Sequence, residues 1–299
     1  MTNHIFWLAS YPKSGNTLLR AILISLLFTD DGIFKFDYFK FIGQFEETER
    51  IKKNISLFKN ILKENINEEI LFKNLINLQT RESLRLEKDK SIFLKTHSGL
   101  FNVYGYPFTN KSMTMGMIYL VRDPRDVCIS WSRHSGKNIN ESINFMCNDH
   151  QGLQWNESFD EEYFSNENRP IAYLSSWDRH VESWCLNNWS IPKKIIRFED
   201  IVYNKKKIIL ELIDFFEKNY NFKINNKSKK INNIIKYTEF ENFKNEENIK
   251  GFKESNKKLK FFSVGKKNQW EKKLTKKKIL KIEEKFNEIM KKFYYKLVN

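Results

Sequence analysis

The sequence has few cysteines and no apolar run long enough to span a membrane. Its three cysteines, Cys128, Cys147 and Cys185, contain no C-x-x-C pair, and one would be left over if two were joined. This argues against a disulfide framework or a zinc site and predicts a reducing compartment. No run approaches the roughly 20 apolar residues of a membrane-spanning helix, and no small-residue cleavage site follows residues 21–28. We therefore expect a cytoplasmic protein.

Proline and glycine are also scarce, with 5 and 10 residues in a chain of 299. No stretch rich in Gly, Ser or Pro divides the chain, and no internal repeat is visible. The apolar fraction of 40% is ample for a hydrophobic core, which excludes a disordered or collagen-like protein. A chain of this length is near the upper limit for one core, and we expect a single domain over residues 1–299.

The positive charge is concentrated in the last third of the chain. The net charge is +15, and residues 193–299 hold 30 Lys and Arg against 14 Asp and Glu, whereas residues 1–192 hold 22 against 23. Such an excess is typical of proteins that bind nucleic acid, a membrane surface or a phosphorylated ligand. The same third is rich in Asn and Ile, so a solvated basic face without a partner is the alternative. Charge alone does not choose between them.

The order of apolar segments predicts an α/β fold. Short apolar runs typical of strands buried on both faces lie at residues 4–10, 91–95, 117–121 and 195–198. Helical spacing of apolar side chains marks residues 17–28, 46–90 and 279–293, and Asp123-Pro124 signals another helix start. Strands that alternate with helices indicate a mostly parallel central sheet flanked by helices.

The turn after the first predicted strand has the properties of a phosphate-binding loop. Its sequence over residues 11–17 is Y-P-K-S-G-N-T, and it leads directly into a helix. The free N–H groups and the dipole of a helix start favour an anion, and Lys13 adds a full positive charge. The loop is not the Walker A pattern G-x-x-x-x-G-K-[ST], because its lysine precedes its single glycine, Gly15.

The second predicted strand ends in F-L-K-T-H, which places the ammonium of Lys95 and the imidazole of His97 on the same rim of the sheet. Ligands of open parallel sheets bind beyond the carboxyl ends of the strands, so this rim is where chemistry is expected. Histidine titrates near neutrality, and His97 is a candidate general base beside an anion site. The alternative is that His97 holds a loop by hydrogen bonds.

The third predicted strand is followed by Arg122, with Ser130 eight residues later on the next helix. A forked guanidinium and a hydroxyl group suit a terminal phosphate. In the alternative interpretation, Arg122 forms an ion pair with Asp126 or Asp200.

Together these segments resemble the cytosolic-type sulfotransferase family, which uses 3′-phosphoadenosine 5′-phosphosulfate (PAPS) as donor. Y-P-K-S-G-N-T resembles the family's 5′-phosphosulfate loop, F-L-K-T-H its catalytic strand end, and Y-L-V-R-D-P-R-D-V-C-I-S-W its 3′-phosphate element. The later segments S-W-D-R-H-V-E-S-W and R-F-E-D are similar to family segments in the same order. The resemblance covers most of the chain and implies a P-loop-like nucleotide-binding architecture.

The resemblance implies a set of residues that hold the donor nucleotide. They are Lys13, Ser14, Gly15, Asn16, Thr17, Arg122, Ser130, Phe198, Thr238, Phe240, Gly265 and Lys266. The family's C-terminal element is R-K-G-x-x-G-D-W, and F-S-V-G-K-K-N-Q-W at residues 262–270 keeps the Gly-to-Trp spacing but lacks the Arg-Lys pair. Lys266 or Lys267 is the candidate to supply positive charge in its place, without the fork of a guanidinium.

The resemblance also implies in-line displacement at sulfur without a metal. Lys13 is then expected to neutralise the bridging oxygen, Lys95 the sulfuryl oxygens, and His97 to take the proton of an acceptor hydroxyl or amine. The expected acceptor is a small molecule or a glycan, with no nucleic acid partner, and peripheral membrane contact stays open. Phe-rich residues 33–50 fall where similar proteins place acceptor-facing loops, or they belong to the core.

Two other functions remain as alternatives. A non-catalytic protein that binds polyanions or nucleic acid would use the interleaved Lys and aromatic residues of 252–299, and its binding would not depend on Lys13. A P-loop kinase would need a glycine-rich Walker loop, which this sequence lacks.

Overall fold

The computed structural model describes residues 3–46, 68–154, 170–252, 260–262 and 265–298. The strands are β1 (Ile5–Ser10), β2 (Gly43–Gln44), β3 (Ile92–Thr96), β4 (Asn102–Val103), β5 (Tyr106–Pro107), β6 (Thr114–Val121), β7 (Gly152–Gln154), β8 (Pro170–Tyr173) and β9 (Lys193–Arg197). The α-helices are α1 (Asn16–Leu27), α2 (Glu68–Leu75), α3 (Pro124–Ser135), α4 (Ile139–Cys147), α5 (Trp177–Cys185), α6 (Phe198–Tyr203), α7 (Lys205–Tyr220), α8 (Lys227–Tyr237), α9 (Phe240–Lys250), α10 (Trp270–Lys273) and α11 (Lys276–Lys292). Short 3-10 helices cover Phe36–Ile42 and Asn77–Gln79.

The central sheet has five strands in the order β2, β3, β1, β6 and β9. β3 pairs in parallel with both β1 and β2, and Lys95 lies opposite Leu8 on one side and Gln44 on the other. Every residue of β1 is buried, as its unbroken apolar sequence predicts. β4 with β5 and β7 with β8 form separate antiparallel pairs. The predicted α/β fold with a mostly parallel central sheet is confirmed.

Most element boundaries agree with the sequence signals. β1, β3, β6 and β9 lie at the four predicted strand positions, although Phe198, predicted to end the last strand, begins α6 instead. α3 begins at Pro124, and the carboxylate of Asp123 accepts from the N–H of Arg125, which confirms the predicted N-cap. Of the helices predicted over residues 46–90, α2 and the short 3-10 helix Asn77–Gln79 are observed, while residues 47–67 lie outside the described residues. The prediction is wrong for residues 80–90, which form turns and irregular structure.

The chain forms two compact units, each built from several segments. The first consists of Met1–Tyr11, Gly43–Tyr119 and Asn148–Lys193. Its core contains an aromatic cluster in which Trp7 packs against Phe45, Phe108 and Trp184. The predicted single domain stays a prediction.

The second unit consists of Pro12–Ile42, Leu120–Cys147 and Lys194–Asn299. Phe34 and Phe36 pack against Phe243, and Phe243 stacks on Phe262. Phe34 is buried and therefore belongs to the core of this unit, whereas Phe36 is half-buried beside it. The predicted amphipathic helix at residues 279–293 is α11, whose apolar stripe is buried. No helix in the described part of the chain is long and apolar enough to cross a lipid bilayer.

Candidate active site

The backbone of the loop at residues 11–17, here called the phosphate loop, is shaped for an anion. Lys13 and Gly15 have left-handed φ values of 64° and 97°, and α1 begins at the next residue, Asn16. A Cβ atom at Gly15 would lie 2.3 Å from Cδ2 of Phe198, so only glycine fits there. The first turn of α1 contains no acidic residue, and its positive dipole end favours a negative ligand.

The side chains of the phosphate loop also fit an anion. Ser14 is 1% exposed, and its hydroxyl oxygen has no hydrogen-bond partner among the described residues. Asn16 and Thr17 are buried as well. The ammonium of Lys13 lies 3.8 Å from the centroid of the Phe261 ring. A buried hydroxyl without a partner, next to a lysine and a helix start, is the pattern expected of a phosphate site.

Arg122 follows β6 and is fixed against the phosphate loop. Its Nη1 donates to the carbonyl oxygen of Lys13 at 3.0 Å, and its Nη2 donates to that of Lys266 at 3.2 Å. The guanidinium also lies 4.4 Å from the centroid of the Phe198 ring, the same ring that covers Gly15. Its Nε has no partner among the described residues although the side chain is buried. This group therefore retains donor capacity for a ligand.

The ion pairs considered for Arg122 are weak. The carboxylate of Asp126 is 4.0 Å from Nη2 of Arg122, at the limit of an ion pair. Burial raises the pKa of Asp126, and this effect outweighs the attraction of Arg122 that lowers it. Oδ1 of Asp200 lies 3.9 Å from Nη1 of Arg197, so this carboxylate pairs with Arg197 and not with Arg122.

Three other residues predicted to hold the donor nucleotide lie in the second unit. Phe240 begins α9. A Cβ atom added at Gly265 would lie only 2.3 Å from Cδ2 of Phe240, so the phenyl ring packs directly against the glycine. The hydroxyl of Thr238 donates to the carbonyl oxygen of Ile234 at 2.6 Å, which leaves its oxygen as an acceptor. Ser130 lies half-buried on α3. Their assignment to the nucleotide stays a prediction.

The C-terminal element contributes its backbone as well as its charges. Lys266 is exposed, and its carbonyl oxygen accepts from Arg122. Lys267 is exposed too, and its ammonium lies 5.0 Å from the centroid of the Tyr203 ring. Ser263 and Val264, which stand in place of the family's Arg-Lys pair, lie outside the described residues.

Lys95 and His97 lie at the end of β3 in the first unit. Lys95 is buried, and its ammonium donates to Oε1 of Gln44 at 3.1 Å. Nδ1 of His97 is 2.8 Å from the carbonyl oxygen of Ser10, the last residue of β1. A carbonyl oxygen only accepts, so Nδ1 carries a proton, and in the neutral ring Nε2 then carries the basic lone pair. This is a tautomer that can take a proton at Nε2.

His180 and Tyr119 hold the main chain of His97, a role that the sequence did not reveal. Nε2 of His180 donates to the carbonyl oxygen of His97 at 2.9 Å, and the Tyr119 hydroxyl is 2.8 Å from Nδ1 of His180. The His180 ring is completely buried, and burial lowers its pKa to about 4, although its bond to the His97 carbonyl opposes this. His180 is therefore neutral at neutral pH.

A buried carboxylate fixes the two neighbours of His97. Oε1 of Glu46 accepts from the hydroxyl of Thr96, and from both the N–H at 3.2 Å and the hydroxyl at 2.8 Å of Ser98. The carbonyl oxygen of Ser98 accepts in turn from the indole of Trp184 at 2.9 Å. His97 is thus held through its ring, its carbonyl group and both flanking residues.

The sulfotransferase domain family matches the chain over residues 4–294. The chain belongs to the sulfotransferase family. This sulfotransferase is similar in fold to retinol dehydratase in complex with androsterone and the inactive cofactor PAP, with 17% identity, a TM-score of 0.60, and 97% of this chain and 82% of that chain covered. It is also similar to retinol dehydratase in a complex with retinol and PAP, with 18% identity, a TM-score of 0.60, and 97% of this chain and 82% of that chain covered. A third similar structure is mouse sulfotransferase SULT7A1 complexed with PAP, with 16% identity, a TM-score of 0.58, and 99% of this chain and 91% of that chain covered. The predicted enzyme class, a PAPS-dependent sulfotransferase, is confirmed.

The part of this sulfotransferase that the structure describes contains no group of three or more His, Cys, Asp and Glu side chains suited to a metal ion. Its three cysteines are free thiols, and burial raises the pKa of Cys128 to about 12. A thiol with this pKa is almost entirely protonated at neutral pH and is a poor nucleophile.

We expect His180 to make the folded sulfotransferase sensitive to acid. Its pKa is about 4 in the folded state and about 6.5 in the unfolded chain, so the unfolded state binds more protons between these values. The contribution to stability is complete above about pH 6.5 and is lost as the pH falls toward 4, a change on the order of 3 kcal/mol. Urea unfolding at pH 7, 6 and 5 measures it.

The matched variants for this measurement are His180→Gln and His150→Gln. His180→Gln should be less stable than wild type at pH 7 but should lose less stability between pH 7 and 5. His150→Gln changes an exposed residue and should lose as much stability between pH 7 and 5 as wild type does. Equal slopes for His180→Gln and wild type would show that His180 does not cause the acid sensitivity.

Proposed function

We propose that this sulfotransferase moves the sulfuryl group of PAPS to a hydroxyl or amine of a small-molecule acceptor, with His97 as the general base. One observation carries the proposal. The carbonyl of Ser10 accepts the Nδ1 proton of His97 at 2.8 Å, and the chain continues from Ser10 into the phosphate loop, reaching Lys13 three residues later. The residue that accepts the Nδ1 proton of the base therefore directly precedes the segment suited to the donor phosphate.

The phosphate loop is assigned to the 5′-phosphate of the donor. The hydroxyl of Ser14 and the N–H groups at the start of α1 donate to its oxygens, and Arg122 is assigned to the 3′-phosphate. The three similar structures are complexes with PAP, which is adenosine 3′,5′-bisphosphate, the donor without its sulfuryl group. This supports a donor that carries both a 5′- and a 3′-phosphate. PAPS supplies the sulfuryl group when it is bound.

The remaining charged residues are assigned to the transfer itself. Negative charge develops on the leaving phosphate as the bond between sulfur and the bridging oxygen breaks, and the ammonium of Lys13 neutralises it. Lys95 stabilises the sulfuryl oxygens. Nε2 of His97 takes the proton from the acceptor as the new bond to sulfur forms. Hydrogen bonds from Lys95 to Gln44 and from His97 to Ser10 hold both side chains in place before the reaction.

A small organic acceptor is the proposal that the comparisons favour. Retinol dehydratase has been seen with androsterone and with retinol in its complexes, which supports a small molecule rather than a glycan. We propose no nucleic acid partner. The cytoplasmic location and a peripheral membrane contact stay predictions.

Calorimetric binding of PAP, AMP and ATP to wild type and to Arg122→Ala tests the donor site. We expect wild type to bind PAP in the micromolar range and to discriminate against AMP. Arg122→Ala should weaken the binding of PAP by about 10- to 100-fold, because a charge-assisted contact to the 3′-phosphate is lost. The binding of AMP, which has no 3′-phosphate, should be nearly unchanged. The control is Arg179→Ala, an arginine of the first unit whose side chain is 58% exposed.

The alternative functions predict different results. A folded wild-type protein that does not bind PAP would remove the proposed donor site. Binding to RNA or heparin that is sensitive to salt and unaffected by Lys13→Ala would then favour the polyanion-binding protein. Binding of ATP in preference to PAP would favour the kinase.

A further inference from the structure

The absence of the family's Arg-Lys pair leaves the 3′-phosphate with one assigned guanidinium in the proposed function, that of Arg122. A second guanidinium lies close to it in the second unit. Arg133 is on α3, three residues after Ser130, so the two side chains lie on the same face of the helix.

Hydrogen bonds connect the two arginines through the C-terminal element. Nη2 of Arg133 donates to Oε1 of Gln269 at 3.1 Å, and Nε2 of Gln269 donates to the carbonyl oxygen of Lys266 at 2.9 Å. The same carbonyl oxygen accepts from Nη2 of Arg122 at 3.2 Å. One glutamine side chain and one carbonyl group therefore separate the two guanidinium groups.

The positive charges of these two arginines act on each other. Burial lowers the pKa of Arg133, and the positive charge of Arg122 lowers it further, whereas Asp126 opposes this. Asp126 is the acid that acts on both guanidinium groups, and its Oδ1 already accepts from the N–H of Trp270 at 3.1 Å. The two guanidinium groups therefore repel each other in a partly buried place, and an anion of two charges would relieve this repulsion.

We propose that Arg133 is the second guanidinium that binds the 3′-phosphate of the donor, in place of the Arg-Lys pair that this chain lacks. The inference rests on the proposed function, since it names a further residue of the same nucleotide site. A phosphate monoester carries nearly two negative charges at neutral pH and accepts the forked donors of arginine. Lys266 instead contributes its carbonyl group, and the ammonium of Lys267 lies against Tyr203.

Calorimetry with PAP and AMP on Arg133 variants tests the proposal. Arg133→Ala should weaken PAP by about 10- to 100-fold and change AMP by less than about twofold, since AMP has no 3′-phosphate. Arg133→Lys should recover part of the PAP affinity, because it restores the charge without the fork. Lys137→Ala is the matched control, an exposed cation just beyond the end of the same helix, and it should bind PAP like wild type.

The outcomes separate this inference from the proposed function. If wild type binds PAP no better than AMP, the donor site itself is wrong. If Arg122→Ala loses PAP affinity but Arg133→Ala keeps it, only the role of Arg133 is overturned. An equal loss for PAP and AMP in Arg133→Ala, or a loss of the same size in Lys137→Ala, would also overturn it, because the effect would then be structural or unspecific. A thermal melt of each variant confirms that it is folded.

Discussion

Replacing His97 with alanine is expected to lower the turnover of sulfation by about 10² to 10⁴-fold while PAP binds as in wild type. In the proposed mechanism the imidazole takes the acceptor's proton at Nε2, and no other neutral base is assigned at this strand end. PAP binding should survive because the donor contacts are assigned to the phosphate loop and Arg122, and not to His97. Transfer from labelled PAPS measures turnover, with androsterone and retinol as the first acceptors to be screened.

His97→Asn separates the chemistry from the loop structure. The Asn amide can still donate to the carbonyl oxygen of Ser10, as Nδ1 of His97 does at 2.8 Å, but it has no basic nitrogen. We therefore expect His97→Asn to be as inactive as His97→Ala but more stable. The exposed His150→Ala in the same unit should keep full activity. Near-normal sulfation by His97→Asn would identify His97 as a structural residue that holds a loop.

Sequence reasoning succeeded where the signal is local. β1 and α1 are adjacent in the chain, and their apolar patterns change from a continuous run to helical spacing within the phosphate loop. α3 carries its own start signal in Asp123 and Pro124. β2 was missed, because a strand of two residues, Gly43–Gln44, is too short to have a period.

The candidate site divides in the same way. Lys13, Lys95 and Arg122 were predicted because polar residues at the carboxyl ends of parallel strands mark ligand sites. His180 was matched only as part of a segment, because its contact with His97 spans 83 positions of sequence and depends on the fold. Glu46 and Arg133 were missed for the same reason, since their roles come from neighbours that the sequence does not place beside them.

The largest loss of stability is expected for Arg125→Met, at about 3 to 5 kcal/mol. The guanidinium is buried and donates to Asp123 at 2.6 Å and to Glu283 on α11 at 2.5 Å. Burial alone would lower the pKa of Arg125, but the two carboxylates outweigh burial and raise it. Removal of the cation leaves two buried carboxylates without their charge partner. Urea unfolding at pH 7 measures the change.

Two further variants test whether unpaired charge causes this loss. Arg125→Met with Glu283→Gln should recover part of the stability, because one of the stranded charges is removed. Lys207→Met is the control, since its ion pair with Glu211 is exposed and should contribute less than about 1 kcal/mol. A double variant no more stable than Arg125→Met would assign the loss to packing against Trp270 instead of to charge.

Arg125 also links stability to the donor site. Its guanidinium lies 3.7 Å from the centroid of the Trp270 ring, and Trp270 follows directly after Gln269 in the C-terminal element. That element brings the carbonyl group of Lys266 to Arg122, so a loosened Trp270 should disturb the contacts proposed for the 3′-phosphate. We therefore expect Arg125→Met to bind PAP more weakly even at temperatures where it is fully folded. The loss should be smaller than that of Arg122→Ala, because Arg125 acts on the phosphate only through the position of Trp270.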